Sequence, residues 1–236
     1  MQNINSIRVI SLWIFILPVI VLNVCLFISV NYNLFENTIF AVDQIGRSAF
    51  TIPYIDGGVS ISRTARTYPT FLIFKPGMII TAILVIKYWI TNNQLFQKIQ
   101  GNTNKNNKFL VFGVLSAIFL IAHSIFLGVK LDYDIYKFFR RFVLLSFIIF
   151  EIIAQVLLVI CMFRLKKEKP NLINSDILVL KIILVSLLIV IALVSLPFLI
   201  SSGHTHFKHA LEWNYFIGVV AFYLLTFFFW RKYKKT

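Results

Sequence analysis

The sequence is poor in charge: Asp, Glu, Lys and Arg make up 14% of 236 residues, and Asp and Glu together number only 9. A soluble domain of this length needs a charged, solvated shell, so the scarcity argues against one. Cysteine is scarce as well. Cys25 and Cys161 both sit inside apolar runs, predicted at different depths, so no disulfide between them is expected and redox compartment is not encoded. The chain has no Asn-x-Ser/Thr sequon by which glycosylation could orient it. An internal repeat is also lacking, which weakens a transporter built on inverted repeats. The first apolar run is too long for a signal peptide, and no small-x-small cleavage site follows it.

What the chain does have is apolar residues. They make up 59% of it, with 25 Phe, and the mean hydropathy is +0.84. Six runs are long enough to cross about 30 Å of hydrocarbon as helices: about 7–30, 71–90, 109–129, 142–163, 177–200 and 213–230. The expected fold is an all-α polytopic membrane protein, a single domain over 1–236 with six transmembrane helices in one bundle. Pro18 is expected to kink the first span, and Asn23 to need a partner within the bundle.

The formal charge of +14 does not point to nucleic acid, because the basic residues cluster at the ends of apolar runs. There they anchor spans and meet anionic headgroups. Fourteen of the 23 Lys and Arg fall with the N-terminus, the second and fourth loops and the C-terminus. Arg8, Lys87, Lys166, Lys167, Lys169 and Lys181 are among them. That side is therefore predicted to be cytoplasmic, with both termini inside. The Asn-rich stretch 97–108 reads as a flexible connector. The basic segment 164–176 reads either as a plain stop for two helices or as a surface that recruits a partner.

The opposite side carries a long first outer loop, about 31–70. Loops this long within a compact unit are usually functional or disordered, and its apolar residues favour order. Gly57-Gly58 predicts a turn that a side chain would resist. Ser62, Arg63 and Arg66 are candidates for holding a lipid headgroup, since a guanidinium pairs with phosphate through two donors. The alternative is that the arginines pair with Asp56 or with outer-leaflet lipid in general. His123 and Glu151 fall inside the third and fourth spans, with Gln155 one turn after Glu151. An acid at that depth needs a partner or water, and is either a working group or a neutral group that fixes packing. His204, His206 and His209 lie close together ahead of Glu212. They are candidate zinc ligands, although the spacing matches no strong metal motif. With Asp132 and Asp134 they could instead serve acid–base chemistry, or be solvated interface residues. His123, Glu151, His209 and Glu212 are the candidate catalytic set.

Six spans, termini inside, a long first outer loop and a His/Glu segment opening the last span resemble the Frag1/DRAM/Sfk1 family. The stretches that carry the likeness are Ile52-Pro53-Tyr54-Ile55-Asp56, Ser60-Ile61-Ser62, Tyr68-Pro69 and Ala210 through Phe216. Thr70 stands where the family often has an acidic residue. The resemblance implies lipid handling: remodelling of GPI-anchor lipid, a role in autophagy, or positioning of a kinase at a membrane. Lys232-Tyr233-Lys234-Lys235-Thr236 looks like a dilysine retrieval signal, or else a basic cap on the last span. An early secretory or endomembrane location follows if the chain is eukaryotic, and a plasma or inner membrane otherwise. The leading expectation is thus a protein that binds or helps remodel membrane lipid at its outer or lumenal face. Its rivals are a non-catalytic scaffold whose basic loops recruit a cytosolic protein, and a zinc-dependent lipid hydrolase.

Overall fold

The computed structural model describes residues 2–101, 107–129, 134–201 and 203–230. Of these residues 82% are helical and none is in a strand. The helices are α1 (Gln2–Val30), α2 (Ile61–Arg66), α3 (Phe71–Gln100), α4 (Lys108–Phe126), α5 (Asp134–Glu168), α6 (Ser175–Ile200) and α7 (Thr205–Phe229). All but α2 are long and apolar enough to cross a membrane. Even the shortest, α4 with 19 residues, rises about 28 Å, close to the hydrocarbon thickness. The chain is an integral membrane protein of six spans.

The helices outrun the apolar runs that reveal them. α3 continues ten residues beyond position 90, and α5 begins eight residues before position 142. Hydropathy reports only the part of a helix in lipid, whereas backbone hydrogen bonding carries the helix on until something breaks it. Gly101 ends α3 with φ at +67°, and Pro170 follows shortly after α5. Arg164, Lys166 and Lys167 therefore belong to the last turns of α5, and the hairpin to α6 is shorter than the sequence suggests. Residues 102–106 of the Asn-rich connector lie outside the described residues. Pro18 lies within α1, which runs unbroken through it.

Each span packs on the next in chain order, and α7 returns to α1, so the six form a closed ring. Short connections between antiparallel helices favour this arrangement. The interior is aromatic: Tyr88, Trp89, Phe109, Trp213, Phe222 and Tyr223 are all buried. Gly113 lets the Trp89 indole close against α4, since a Cβ there would sit 2.4 Å from the ring. Outward-facing side chains such as Val9, Ile20, Ile83, Val111, Ile149 and Leu193 are exposed, as a lipid-facing belt requires.

One placement corrects the charge count. Lys181 is not a cytoplasmic flank; it is fully buried, two turns into α6, and it faces α7. The two ends of the bundle are each tied together. At one end Asn174 N donates to Phe229 O at 3.0 Å. At the other, the first outer loop packs on the start of α7 and beside Gly128.

Candidate functional site at the outer face

The first outer loop is built locally before it meets anything else. Asp56 closes a turn by accepting from Thr51 Oγ1 at 2.5 Å, Ile52 N at 2.8 Å and Gly58 N at 2.8 Å. These donors, the Thr51 hydroxyl foremost, hold its carboxyl below the ordinary value of 3.8. Ser60 caps α2 by accepting from Arg63 N at 3.1 Å. Thr70 ties the end of α2 to the start of α3 through the carbonyls of Thr64 and Thr67.

This loop is then clasped by α7. Successive loop carbonyls receive side chains from one stretch of that helix. Asn214 Nδ2 donates to Tyr54 O at 2.7 Å, His206 Nδ1 to Asp56 O at 3.1 Å, His209 Nδ1 to Gly57 O at 3.0 Å and Trp213 Nε1 to Val59 O at 2.9 Å. In return, Ser62 N donates to Glu212 Oε1 at 3.4 Å. The Tyr54 and Trp213 rings meet edge to face at 5.0 Å. Tyr54 also receives Asn23 Nδ2 at 3.1 Å, so the partner of Asn23 is the outer loop rather than another span. Burial pushes the Tyr54 hydroxyl above its ordinary 10.0, against the opposing Asn23 bond.

The candidate residues therefore fall in separate places. His209 and Glu212 come together with Ser62 and the loop, where they hold backbone. His206 and His209 turn their Nδ1 atoms to two neighbouring carbonyls, and His204 lies edge-on to Phe198 at 6.0 Å with a left-handed backbone, φ +54°. Among the described residues no group of three or more His, Cys, Asp and Glu is placed to hold a metal ion. Arg63 donates to Ile45 O at 3.0 Å and Arg47 O at 3.5 Å, bracing the loop rather than pairing with Asp56. Arg66 is exposed on α2. Asp132 lies outside the described residues, as does the side chain of Asp134 and the whole tract 231–236.

His123 and Glu151 do not meet. Glu151 is buried between α4, α5 and α7, where it bonds Ser116, Gln155 and Tyr223. Ser116 precedes His123 by seven residues, about 10 Å along α4.

Beneath the outer loop lies an apolar cavity of about 220 Å³, lined by Ile28, Phe35, Phe40, Pro69, Leu72 and Ile73. It sits between the end of α1, the start of α3 and the loop that joins them. A second cavity of about 200 Å³ lies on the other flank of α1, against Asn23, Phe27 and Phe50. Sequence reasoning missed both, because their walls join residues distant in the chain; the apolar loop residues Phe35 and Phe40 were the available signal. No protein-family model matches the chain, and no curated protein or solved structure matches it.

Proposed function

We propose that this integral membrane protein binds membrane lipid at its outer face, with part of one acyl chain in the cleft beneath the first outer loop. The observation that carries the reading is the cavity walled entirely by apolar side chains at the level where α1 and α3 meet the loop. Water gains nothing from such walls, whereas a hydrocarbon chain does. About 220 Å³ is below the size of a pocket for a whole small ligand, so the occupant is a chain segment with its headgroup left at the surface. Exposed Phe40 and Leu72 continue the cleft into the lipid-facing belt. Arg66 is the member of the headgroup trio left at the surface. The likeness to the Frag1/DRAM/Sfk1 family, with its GPI-lipid and endomembrane branches, points towards the same lipid chemistry. The reading is one of binding: the catalytic candidates are divided between the membrane interior and the loop clasp.

Mass spectrometry of the protein purified in nanodiscs tests it. Leu72→Trp and Ile73→Trp fill the cleft with apolar bulk. Each is expected to lower co-purifying lipid about tenfold, a change of about 1.4 kcal/mol, at unchanged thermal stability. Lipid retention equal to wild type in both variants would sink the proposal, and charge reversal at Lys166, Lys167 and Lys169 would become the next experiment.

A further inference from the structure

A carboxylic acid and an amine are sealed inside the bundle. Among the described residues, Glu151 and Lys181 are the only Asp, Glu, Lys or Arg in the buried class, one acid and one base. They make no salt bridge with each other; α7 holds both. Glu151 Oε1 accepts from the Tyr223 hydroxyl and from Gln155 Nε2 at 2.9 Å, while Oε2 pairs with Ser116 Oγ at 2.7 Å. Lys181 Nζ donates to Thr226 Oγ1 at 2.6 Å and lies 3.5 Å from the centre of the Phe222 ring and 5.7 Å from that of Phe229.

Each end is built to hold either protonation state. Ser116 Oγ has one hydrogen but two neighbours, Glu151 Oε2 and Gly113 O, the latter at 2.8 Å. With Glu151 protonated, the acid donates to Ser116 Oγ and the serine donates to Gly113 O. With Glu151 ionised, the serine turns its hydrogen to Oε2 and the carboxylate takes three donors. One hydroxyl rotation separates the two arrangements. At the other end, a neutral amine donates to Thr226, and an ammonium keeps that bond and gains two aromatic faces. The Thr226 hydrogen is engaged by Phe222 O at 3.0 Å, so its oxygen is open to Lys181 and to the Tyr88 hydroxyl at 3.0 Å.

A lone charge at this depth is costly, but an acid and a base that exchange one proton keep the interior neutral overall. We propose that Glu151 and Lys181 form a proton-sharing pair, each anchored on α7, the acid by Tyr223 and the base by Thr226. On transfer the Glu151 O–H bond breaks and an N–H bond forms on Lys181. The proton that leaves one group is the one the other takes up, so the interior gains and loses none. The Tyr223 and Tyr88 rings lie edge to face at 4.9 Å, and Trp89 packs on both. Asn92 Oδ1 and Gln155 Oε1 are buried with no hydrogen-bond partner among the described residues, and each can accept from a water. The other titratable or charged groups near the pair are these two tyrosines, His123 further along α4 and Arg8 of α1, which donates to Phe227 O at 3.0 Å.

The pair uses no residue of the lipid cleft, so the two readings fail separately. Infrared spectroscopy of the full chain in nanodiscs reads the protonated carboxyl band, with Glu151→Gln defining the part that belongs to Glu151. Wild type is expected to show less than one carboxyl per chain, and Lys181→Met to raise the band to one. An unchanged band in Lys181→Met, or no Glu151-dependent band in either protein, overturns the proposal. If Lys181→Met fails to fold, Thr226→Val keeps the lysine and removes its hydroxyl partner. The band should rise there too, and a band equal to wild type overturns the idea.

Discussion

Gly57 shows how one residue can join two distant parts of the chain. Its φ is +62°, and a Cβ built there would stand 1.8 Å from the His206 carbonyl oxygen. Gly57→Ala therefore meets both a backbone that resists a side chain and a wall of helix backbone that cannot step aside. Gly101, also left-handed at +67°, has open space around it and supplies a control. Gly101→Ala is expected to cost about 1 kcal/mol, and Gly57→Ala about 2 kcal/mol or more, because it also opens the clasp. Thermal unfolding followed by tryptophan fluorescence measures both. Equal losses would mean that the close approach to α7 does not hold the loop. The glycine pair was legible in the sequence as a turn, but its purpose was not, since the contact comes from the last span. The bonds of His206 and His209 were hidden in the same way. Their Nδ1 partners are backbone carbonyls of the loop, which a sequence does not display.

At the scale of elements, the 51–58 turn is the piece that α7 grips, and its geometry hangs on a carboxylate. Asp56 is held below its ordinary value of 3.8 by the Thr51 hydroxyl and then by the amides of Gly58 and Ile52. A carboxyl depressed on folding contributes stability that is full above its unfolded value and is lost as pH falls through its folded one. The turn should thus keep its protection from about pH 4 upward and lose it in stronger acid. Asp56→Asn should be looser throughout and flat with pH. Hydrogen exchange of residues 51–58 across that range checks both, and identical pH profiles for the two proteins would remove Asp56 from the account. The spans themselves were the most legible elements, because each must present a long apolar surface to lipid. Their ends were not, since a helix stops at a breaker such as Gly101 rather than where hydropathy falls.

At the scale of the molecule, Glu151 and Lys181 show what a charge count can and cannot see. Glu151 stood out as an acid in mid-run. Lys181 was counted with the basic flank because it follows a charged hairpin, yet its side chain points into the ring. The positive-inside count reads position along the chain and is blind to direction. Moving Lys181 to the interior leaves the other basic residues where they were, so the predicted orientation keeps its basis: the ends of α5 and α7 on the cytoplasmic side and the clasped loop opposite. Cysteine labelling tests that orientation for the whole bundle. With Cys25 and Cys161, both free, replaced by alanine, Phe50→Cys places a thiol on the first outer loop, where Phe50 is 83% exposed. Asn171→Cys places one in the exposed turn between α5 and α6. In intact cells an impermeant maleimide should label position 50 and spare position 171 until the membrane is opened. The reverse pattern would turn the molecule over and put the apolar cleft in the cytoplasmic leaflet. The lipid offered to the cleft would then be an inner-leaflet one.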